Sequence, residues 1–215
     1  MKRQLVGLYG MVLLVAFVGS GCAVGNKYNY SNVMADIATP GNSSVSVATH
    51  DQREYVVSGA KAPQFIGLQR GGFGNPFNVS TQSNRPLADD ITDNITASLS
   101  QKGFKAMPVA VSFSDKPEAV LEKAKAANAD RIVLLTLNEW KSDTYANVAL
   151  QFNVTMSVYD KDGKKLAGKT IEGRDNLGGS SWNPPAHARK ALPAALKEKL
   201  EQLLNSPEIA KNLNK

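Results

Sequence analysis

The sequence has 215 residues, a formal net charge of +6, 42% hydrophobic residues and one cysteine. This length suits one folded domain whose core is large enough to need no disulfide bonds. The lysine and arginine residues are spread along the chain without a dense basic block, which argues against nucleic-acid binding.

The first twenty-two residues have the pattern of a bacterial export signal. Lys2 and Arg3 precede an apolar run over residues 5–18, and small residues then lead into Cys22. The run has 14 residues, and a membrane-spanning helix needs about 20. The segment before Cys22 resembles the lipobox of bacterial lipoproteins, although Gly19 stands where that motif prefers an aliphatic residue.

The lipobox resemblance implies a lipoprotein signal peptide over residues 1–21 and lipidation of Cys22 by diacylglycerol and further acyl chains such as palmitate. Two or more acyl chains would hold the protein permanently on a membrane. Because no aspartate follows Cys22, the resemblance implies an outer-membrane protein that faces the periplasm. The short apolar run argues against an uncleaved membrane anchor. The alternative that remains open is an ordinary secretory signal cut near Gly21, with Cys22 as an incidental free thiol.

Residues 22–43 are rich in Asn, Ser, Gly and Tyr, and we predict a flexible tether there. A single periplasmic domain is then expected over residues 44–215. Residues 44–49 alternate valine with small residues and predict the first strand. Residues 53–58 are expected to extend this strand or to pair with it.

Residues 59–82 contain several glycines among aromatic residues and are interrupted by two prolines, so we predict a long loop. The glycines are not followed by the Lys-Ser/Thr pair of a phosphate-binding loop. Two interpretations remain open. The loop either folds onto its own domain or binds an envelope protein partner, through the candidate contact residues Phe65, Arg70, Phe73 and Phe77.

The remaining hydrophobic pattern predicts regular elements. They are a helix over 86–102, an edge strand over 105–111, a helix after an Asp115–Glu118 capping box, a central strand over 131–137, a hairpin of 148–159 with 165–172, and a helix over 184–205 that kinks at Pro193. Together they predict an α+β fold, with a mixed sheet, helices packed on one face and the element order β-α-β-α-β-β-β-α.

No catalytic or metal-binding pattern stands out in the sequence. His50 and His187 have no partner at metal-ligand spacing, and no nucleophile motif is present. Glu139 and Asp143 flank Trp140 in a region that could form a cleft. The sequence therefore predicts a non-enzymatic protein without a cofactor or a metal.

The predicted elements from residue 86 to 205, behind a lipobox, resemble the YajG-like outer-membrane lipoproteins. They are more loosely similar to the fold of the TolB N-terminal domain and of the lipoprotein activators of penicillin-binding proteins. The resemblance implies a binding or accessory module of a cell-envelope complex. The alternatives are an activator of a peptidoglycan synthase and a periplasmic hydrolase or small-ligand-binding protein that uses the Glu139–Trp140 region.

Overall fold

A computed structural model of the chain describes residues 25–214. The signal peptide and the lipidation of Cys22 lie outside the described residues and stay predictions. None of the helices in the described part has the length and apolar character needed to cross a membrane.

The described residues form eight strands and five helices. The strands are β1 (Lys27–Tyr28), β2 (Ser44–Asp51), β3 (Phe65–Arg70), β4 (Pro76–Thr81), β5 (Lys105–Pro108), β6 (Arg131–Thr144), β7 (Asn147–Asp160) and β8 (Lys165–Gly179). The helices are α1 (Glu54–Val57), α2 (Leu87–Gln101), α3 (Pro117–Ala126), α4 (Pro184–Leu204) and α5 (Pro207–Ala210).

All eight strands belong to one mixed sheet, and β6 is its centre. One edge of β6 pairs along its length with β7, which in turn pairs with β8, both in antiparallel fashion. The other edge of β6 is shared by two parallel partners, because its first half pairs with β2 and its last residues pair with β3. The predicted α+β fold with a mixed sheet is confirmed, and so is the central position of the strand that begins at Arg131.

Two helices cover one face of this sheet and form the main core with it. In β6 the buried residues Val133, Leu135 and Leu137 alternate along the strand, so they point to this face. Helices α2 and α4 pack there, as the prediction of helices on one face requires. Helix α3 packs instead on the opposite face, where Val120 joins a smaller cluster with Leu134.

Helix α2 confirms the prediction for residues 86–102, and the reason is visible in its packing. Ile91, Ile95 and Leu99 lie four residues apart and are almost fully buried. Gly103 follows the helix with a φ of +97°, and the Phe104 amide donates to the Leu99 carbonyl at 3.2 Å, which ends the helix. Strand β5 follows at the edge of the sheet, as predicted, but it ends at residue 108.

The predicted tether over residues 22–43 is wrong for the residues that the structure describes. β1 pairs in parallel with β4, and Tyr28 and Tyr30 are fully buried. The Val33 amide donates to Asn94 Oδ1 of α2 at 2.9 Å. The reason is that the isolated apolar residues of this segment fill the surface beside α2, so this segment is part of the folded domain that was expected to begin at residue 44.

Two further segments differ from their predictions. Residues 59–82 contain the β3–β4 hairpin and not a long loop, and glycines inside the strand hide its alternation from a sequence pattern. Residues 53–58, predicted as extended, hold the short helix α1. The predicted second hairpin is confirmed, although β8 continues to residue 179.

The residues that cap or interrupt the helices differ from the prediction. No capping box forms at α3, because Lys116 occupies the N-cap position, while Asp115 accepts from the Ser112 amide at 2.8 Å. Asn183 caps α4 instead, since its side chain accepts from the Ala186 amide at 3.1 Å. Pro193 lies inside α4, which continues to Leu204 as one helix.

Candidate contact surface at the hairpin end of the sheet

Three chain segments meet at one end of the sheet, which we call the hairpin end. They are the β3–β4 turn (residues 71–75), the β6–β7 turn (residues 145–146) and the segment that follows β8 (residues 180–183). The strand register brings them together, because Gln69 of β3 pairs with Thr144, and Asn147 pairs with Gly179. The Ser180 amide also donates to the Ala146 carbonyl at 3.1 Å.

Each of these three segments exposes one aromatic side chain. Phe73 is 103% exposed, Trp182 is 98% exposed and Tyr145 is 53% exposed. Within residues 25–214 only two other large apolar side chains, Met34 and Val57, are exposed, and both to a smaller extent than Trp182. Exposed aromatic rings are thus concentrated at the hairpin end, as is typical of a contact surface.

The chain at the hairpin end contains almost no charge. No Asp, Glu, Lys or Arg occurs in residues 71–84, 144–159 or 176–186. The nearest charged pair is Arg70 with Asp143, which is bidentate with nitrogen-to-oxygen distances of 2.8 and 2.6 Å. This pair neutralises itself and links β3 to β6.

A buried ion pair fixes the hairpin on the rest of the sheet. Arg53 is fully buried, and its guanidinium binds both carboxylate oxygens of Asp51, at 2.8 and 2.6 Å. The same guanidinium donates to the backbone carbonyls of Phe65 at 2.6 Å and Pro63 at 3.1 Å. Charge pairing and hydrogen bonding to Asp51 raise the pKa of Arg53 despite its burial. The side chain therefore holds the start of β3 against the end of β2.

The close approach of β3 to β6 also positions the hairpin. Gly67 of β3 lies against Ser142 of β6, and a Cβ atom at Gly67 would stand 2.1 Å from Ser142 Oγ. Only glycine leaves room for β3 at this distance. Ser142 Oγ donates to the Ile66 carbonyl at 3.2 Å, which adds a side-chain bond between the two strands.

The four predicted contact residues are not together on one surface. Phe65 is only 4% exposed and packs edge-on against Tyr55, with ring centroids 5.4 Å apart. It is therefore unavailable as an exposed contact, which corrects its assignment. Phe77 is half-buried, Arg70 is bound to Asp143, and Phe73 is fully exposed at the turn. Contact of Arg70, Phe73 and Phe77 with a partner stays a prediction.

The polypeptide enters the fold at this same end. β1 runs parallel to β4, and the Ser80 amide of β4 donates to the Asn26 carbonyl at 3.2 Å. Gly25 lies directly against the Asn78 backbone, two residues from the start of β4 at the hairpin turn. Asn26 Nδ2 also donates to Gln69 Oε1 at 2.5 Å. The first described residues thus lie beside the β3–β4 hairpin.

A separate groove lies on the face of the sheet that carries α3. It has a volume of about 600 Å³ and is lined by the mixed set His50, Gln52, Pro117, Glu118, Leu121, Leu134, Thr136, Asn138 and Tyr159. Gln52 Nε2 lies 2.9 Å from His50 Nε2. Burial lowers the pKa of His50, although Asp115 and Asp51 act in the opposite direction.

The Glu139–Trp140 region does not form the cleft that the sequence suggested. Neighbouring strand residues point to opposite faces, so Trp140 is buried in the core and donates to Tyr30 Oη at 3.2 Å. Glu139 lies on the other face, accepts from Tyr55 Oη at 2.7 Å and borders an open depression. Residues 25–214 contain no cluster of three or more His, Cys, Asp or Glu side chains arranged for a metal ion.

Sequence reasoning missed two of the three exposed aromatic residues. Tyr145 and Trp182 follow strands in turn segments, and their sequence signal was the long absence of charge around them. It also missed Arg53, because a single arginine after a strand gives no sign that Asp51, two residues earlier, is its buried partner.

Comparison with known proteins finds distant structural similarity only. No protein-family model and no curated protein matches the chain. Protein XCC0632 from Xanthomonas campestris, of family model DUF330, is 15% identical, over 80% of this chain and 88% of that one, with a TM-score of 0.49.

Two other solved structures are more remote. The PelC dodecamer from Paraburkholderia phytofirmans is 14% identical over 80% of this chain and 90% of that chain, with a TM-score of 0.41. Lipoprotein GNA1162 from Neisseria meningitidis is 13% identical over 74% of this chain and 99% of that chain, with a TM-score of 0.29. Similarities of this level assign neither a family nor a function to the chain.

Proposed function

We propose that this chain is a non-enzymatic outer-membrane lipoprotein of the YajG-like type, anchored through Cys22 and facing the periplasm. Its domain acts as a binding or accessory module of the cell envelope. The observation that supports this proposal most directly is the position of Gly25. Gly25, three residues after Cys22, packs against the domain at the end that exposes Phe73, Tyr145 and Trp182.

Replacement of Cys22 by alanine tests the anchor. The variant should lose the acyl mass and leave the membrane fraction, because no helix of residues 25–214 is long and apolar enough to span the bilayer. Intact mass and membrane fractionation are the measurements. A Cys22→Ala protein that keeps its mass and its membrane association would contradict the proposal.

A second variant tests the choice of membrane while leaving the cysteine in place. Ala23→Asp introduces the aspartate whose absence supports outer-membrane export, so the lipidated variant should move to the inner membrane. Ala23→Ser is the matched control and should stay in the outer membrane. If both variants fractionate with the wild-type protein, the argument from residue 23 is wrong.

The accessory role is tested by cross-linking in intact envelopes. Deletion of residues 59–82 would remove two paired strands and unfold the domain, so single surface variants are the better choice. Phe73→Ser should weaken capture of an envelope component, because loss of the ring changes how the hairpin end holds the domain. It should not lower stability, because the ring is fully exposed. Met34→Ser, at an exposed residue away from the hairpin end, is the control and should leave capture unchanged.

A second candidate function is binding of a small ligand in the groove beside α3. Its volume of about 600 Å³ is in the range of ligand pockets, and its lining mixes apolar side chains with His50, Gln52 and Tyr159. Ligand screening by thermal shift is the test. A hit that raises the melting temperature of the wild type but not of Thr136→Leu would favour this function.

The peptidoglycan-synthase activator receives less support. A lipoprotein that reaches across the peptidoglycan layer needs a long free tether, whereas residues 27–43 are packed on the domain. This leaves little chain between Cys22 and the fold.

A further inference from the structure

We propose that the hairpin end of the sheet lies in the interfacial layer of the bilayer that holds Cys22, with Phe73, Tyr145 and Trp182 among the lipid headgroups. This inference rests on the proposed lipid anchor and identifies the bilayer itself as the partner of the hairpin end. The domain would then be docked on the membrane in one orientation.

Chain length is the first step of the argument. Three residue steps separate Cys22 from Gly25, and an extended chain spans at most about 3.6 Å per residue, or roughly 11 Å in total. A cysteine whose acyl chains are in the bilayer therefore holds Gly25 within a short distance of the headgroups. Because Gly25 lies against Asn78 beside the β3–β4 hairpin, the hairpin end is the part of the domain nearest the membrane.

The second step is the chemistry of the hairpin end. Trp and Tyr are the side chains most enriched at the boundary between lipid and water, because each has an apolar ring and a polar group. Trp182 and Tyr145 provide both, and Phe73 adds a fully exposed apolar ring. No charged residue of the three segments would have to be dehydrated among the lipids.

The third step is shape. The three aromatic side chains stand on turns and on the segment after β8, so they project from the ends of strands. The concave surfaces described above are lined by other residues, in the groove beside α3 and in the depression near Glu139. A fluid bilayer interface accepts separate projecting rings, whereas a protein partner would need a pocket of its own for each ring.

The proposal predicts what faces the periplasm. Strand β6 runs from the opposite end of the sheet to the hairpin end, so the β7–β8 turn with Asp162 points away from the membrane. The C-terminal residues lie at that far end too, because the Arg131 guanidinium donates to the Asn212 carbonyl at 2.9 Å. The groove beside α3 stays open to the periplasm along the side of the domain.

Tryptophan fluorescence of the full lipidated protein in vesicles tests the docking. The chain has two tryptophans, and Trp140 is buried with 1% exposure, so the difference between wild type and Trp182→Phe isolates the signal of Trp182. The vesicles contain phosphatidylethanolamine and phosphatidylglycerol, with or without bromine on the acyl chains. We expect the Trp182 emission to shift to shorter wavelength relative to the detergent-free unlipidated chain and to be quenched by the brominated lipids.

A matched reporter at the other end provides the control. Asp162→Trp in the Trp182→Phe background places the ring on the β7–β8 turn, where it should stay accessible to aqueous iodide and insensitive to brominated lipid. Equal quenching of both reporters by brominated lipid would overturn a single orientation. Quenching at neither position would overturn the docking.

The results of these experiments distinguish a failure of the docking proposal from a failure of the lipid anchor on which it rests. Acyl chains on Cys22 are measured by mass on the same sample. Acylated protein whose Trp182 remains open to iodide contradicts the docking alone, and protein without acyl mass contradicts both proposals. If Trp182 is open in vesicles but shielded in whole envelopes, the occupant of the hairpin end is a protein and not the bilayer.

Discussion

The two ends of the sheet are formed by the same long strands, yet they differ in charge and in exposed apolar area. At the hairpin end the turns and the segment after β8 expose Phe73, Tyr145 and Trp182 with no charged residue among them. At the opposite end the β7–β8 turn, residues 160–165, has five charged residues out of six. We call this the charged end. The charged end resembles an ordinary hydrated protein surface, and the hairpin end does not.

The difference shows that strand pairing and surface chemistry are specified separately. Strands β6, β7 and β8 run from one end of the sheet to the other and pair with one another along that whole distance. The turns that join these strands differ in charge between the two ends. Function can therefore be concentrated in turns without any change in the fold that positions them.

The largest expected effect is loss of the buried arginine that fixes the hairpin end. Arg53→Ala would leave Asp51, which is 3% exposed, without its partner, and we expect a loss of about 3–5 kcal/mol in the free energy of unfolding. Urea denaturation measures it. Hydrogen exchange should quicken more in β3 and β4 than in the β7–β8 turn, and equal acceleration at both ends would contradict this role.

An exposed arginine is the matched control for that prediction. Arg85 pairs with Asp93 at 2.7 Å, and both side chains are about half exposed, at 50% and 49%. Its guanidinium is also 3.9 Å from the buried carboxylate of Asp90, which keeps a hydrogen bond from Ser83 Oγ when Arg85 is removed. Arg85→Ala should cost no more than about 1 kcal/mol. A cost equal to that of Arg53→Ala would mean that burial is not what gives the Asp51 pair its importance.

Alanine substitutions at two glycines of the hairpin distinguish a tightly packed strand position from an open turn position. Gly67→Ala would place a Cβ atom 2.1 Å from Ser142 Oγ, so β3 must move away from β6, at a cost of about 1–3 kcal/mol. At Gly72, in the turn, nothing lies within 4 Å of the added Cβ, and Gly72→Ala should change stability by no more than about 0.5 kcal/mol. Thermal denaturation of both variants is the measurement, and equal effects would be inconsistent with the close strand approach.

The aromatic residues of the hairpin end should affect contact and not stability. Trp182→Ser removes a ring that is 98% exposed, so the free energy of unfolding should change by less than about 0.5 kcal/mol. Docking of the lipidated protein on vesicles, measured by protease protection of the β3–β4 turn, should weaken. Asp162→Ser at the charged end should alter neither property. A large loss of stability in Trp182→Ser would show that the ring packs on its own domain.

The smallest expected effect is a dependence of the free energy of unfolding on pH, and it involves His50 and neither end of the sheet. The pKa of His50 is lowered by burial, so the folded protein disfavours the protonated ring relative to the unfolded chain, where the pKa is about 6.5. The stability contributed by the neutral ring is present above that value and is lost as the pH falls below it. Urea denaturation at pH values on either side of about 6.5 measures this effect. The free energy of unfolding should fall less steeply with decreasing pH in His50→Gln than in the wild type. Equal slopes in the two proteins would contradict the prediction.

The sequence predicted the fold where hydrophobic periodicity was strong. The stripe of Ile91, Ile95 and Leu99 and the alternation along β7 gave the correct elements, because each periodic pattern corresponds to one buried face. The strands of the β3–β4 hairpin were missed, since glycine at position 67 removes a side chain from the alternation. The packing of residues 27–43 was missed because it depends on a surface formed by α2, far along the chain.

The candidate contact surface was predictable only in part. Phe73 stood out among glycines, but Phe65 in the same segment is buried, and sequence spacing does not separate them without the strand register. Tyr145 and Trp182 lie more than 70 residues beyond Phe73 in sequence. They join it only because β6 pairs with β3 and β7 pairs with β8.

The parallel pairing of β1 with β4 determines how the domain would respond to a mechanical load on its N-terminus. A pull on residue 25 toward the hairpin end acts along the strand axis, so the two-residue ladder is loaded in shear and its bonds do not open one by one. Behind it, the fully buried rings of Tyr28 and Tyr30 would have to leave the core before the segment could slide. Tyr30 is further held by the hydrogen bond from Trp140 at 3.2 Å. Residues 27–30 thus form a mechanical clamp between the N-terminal side of the chain and the fold.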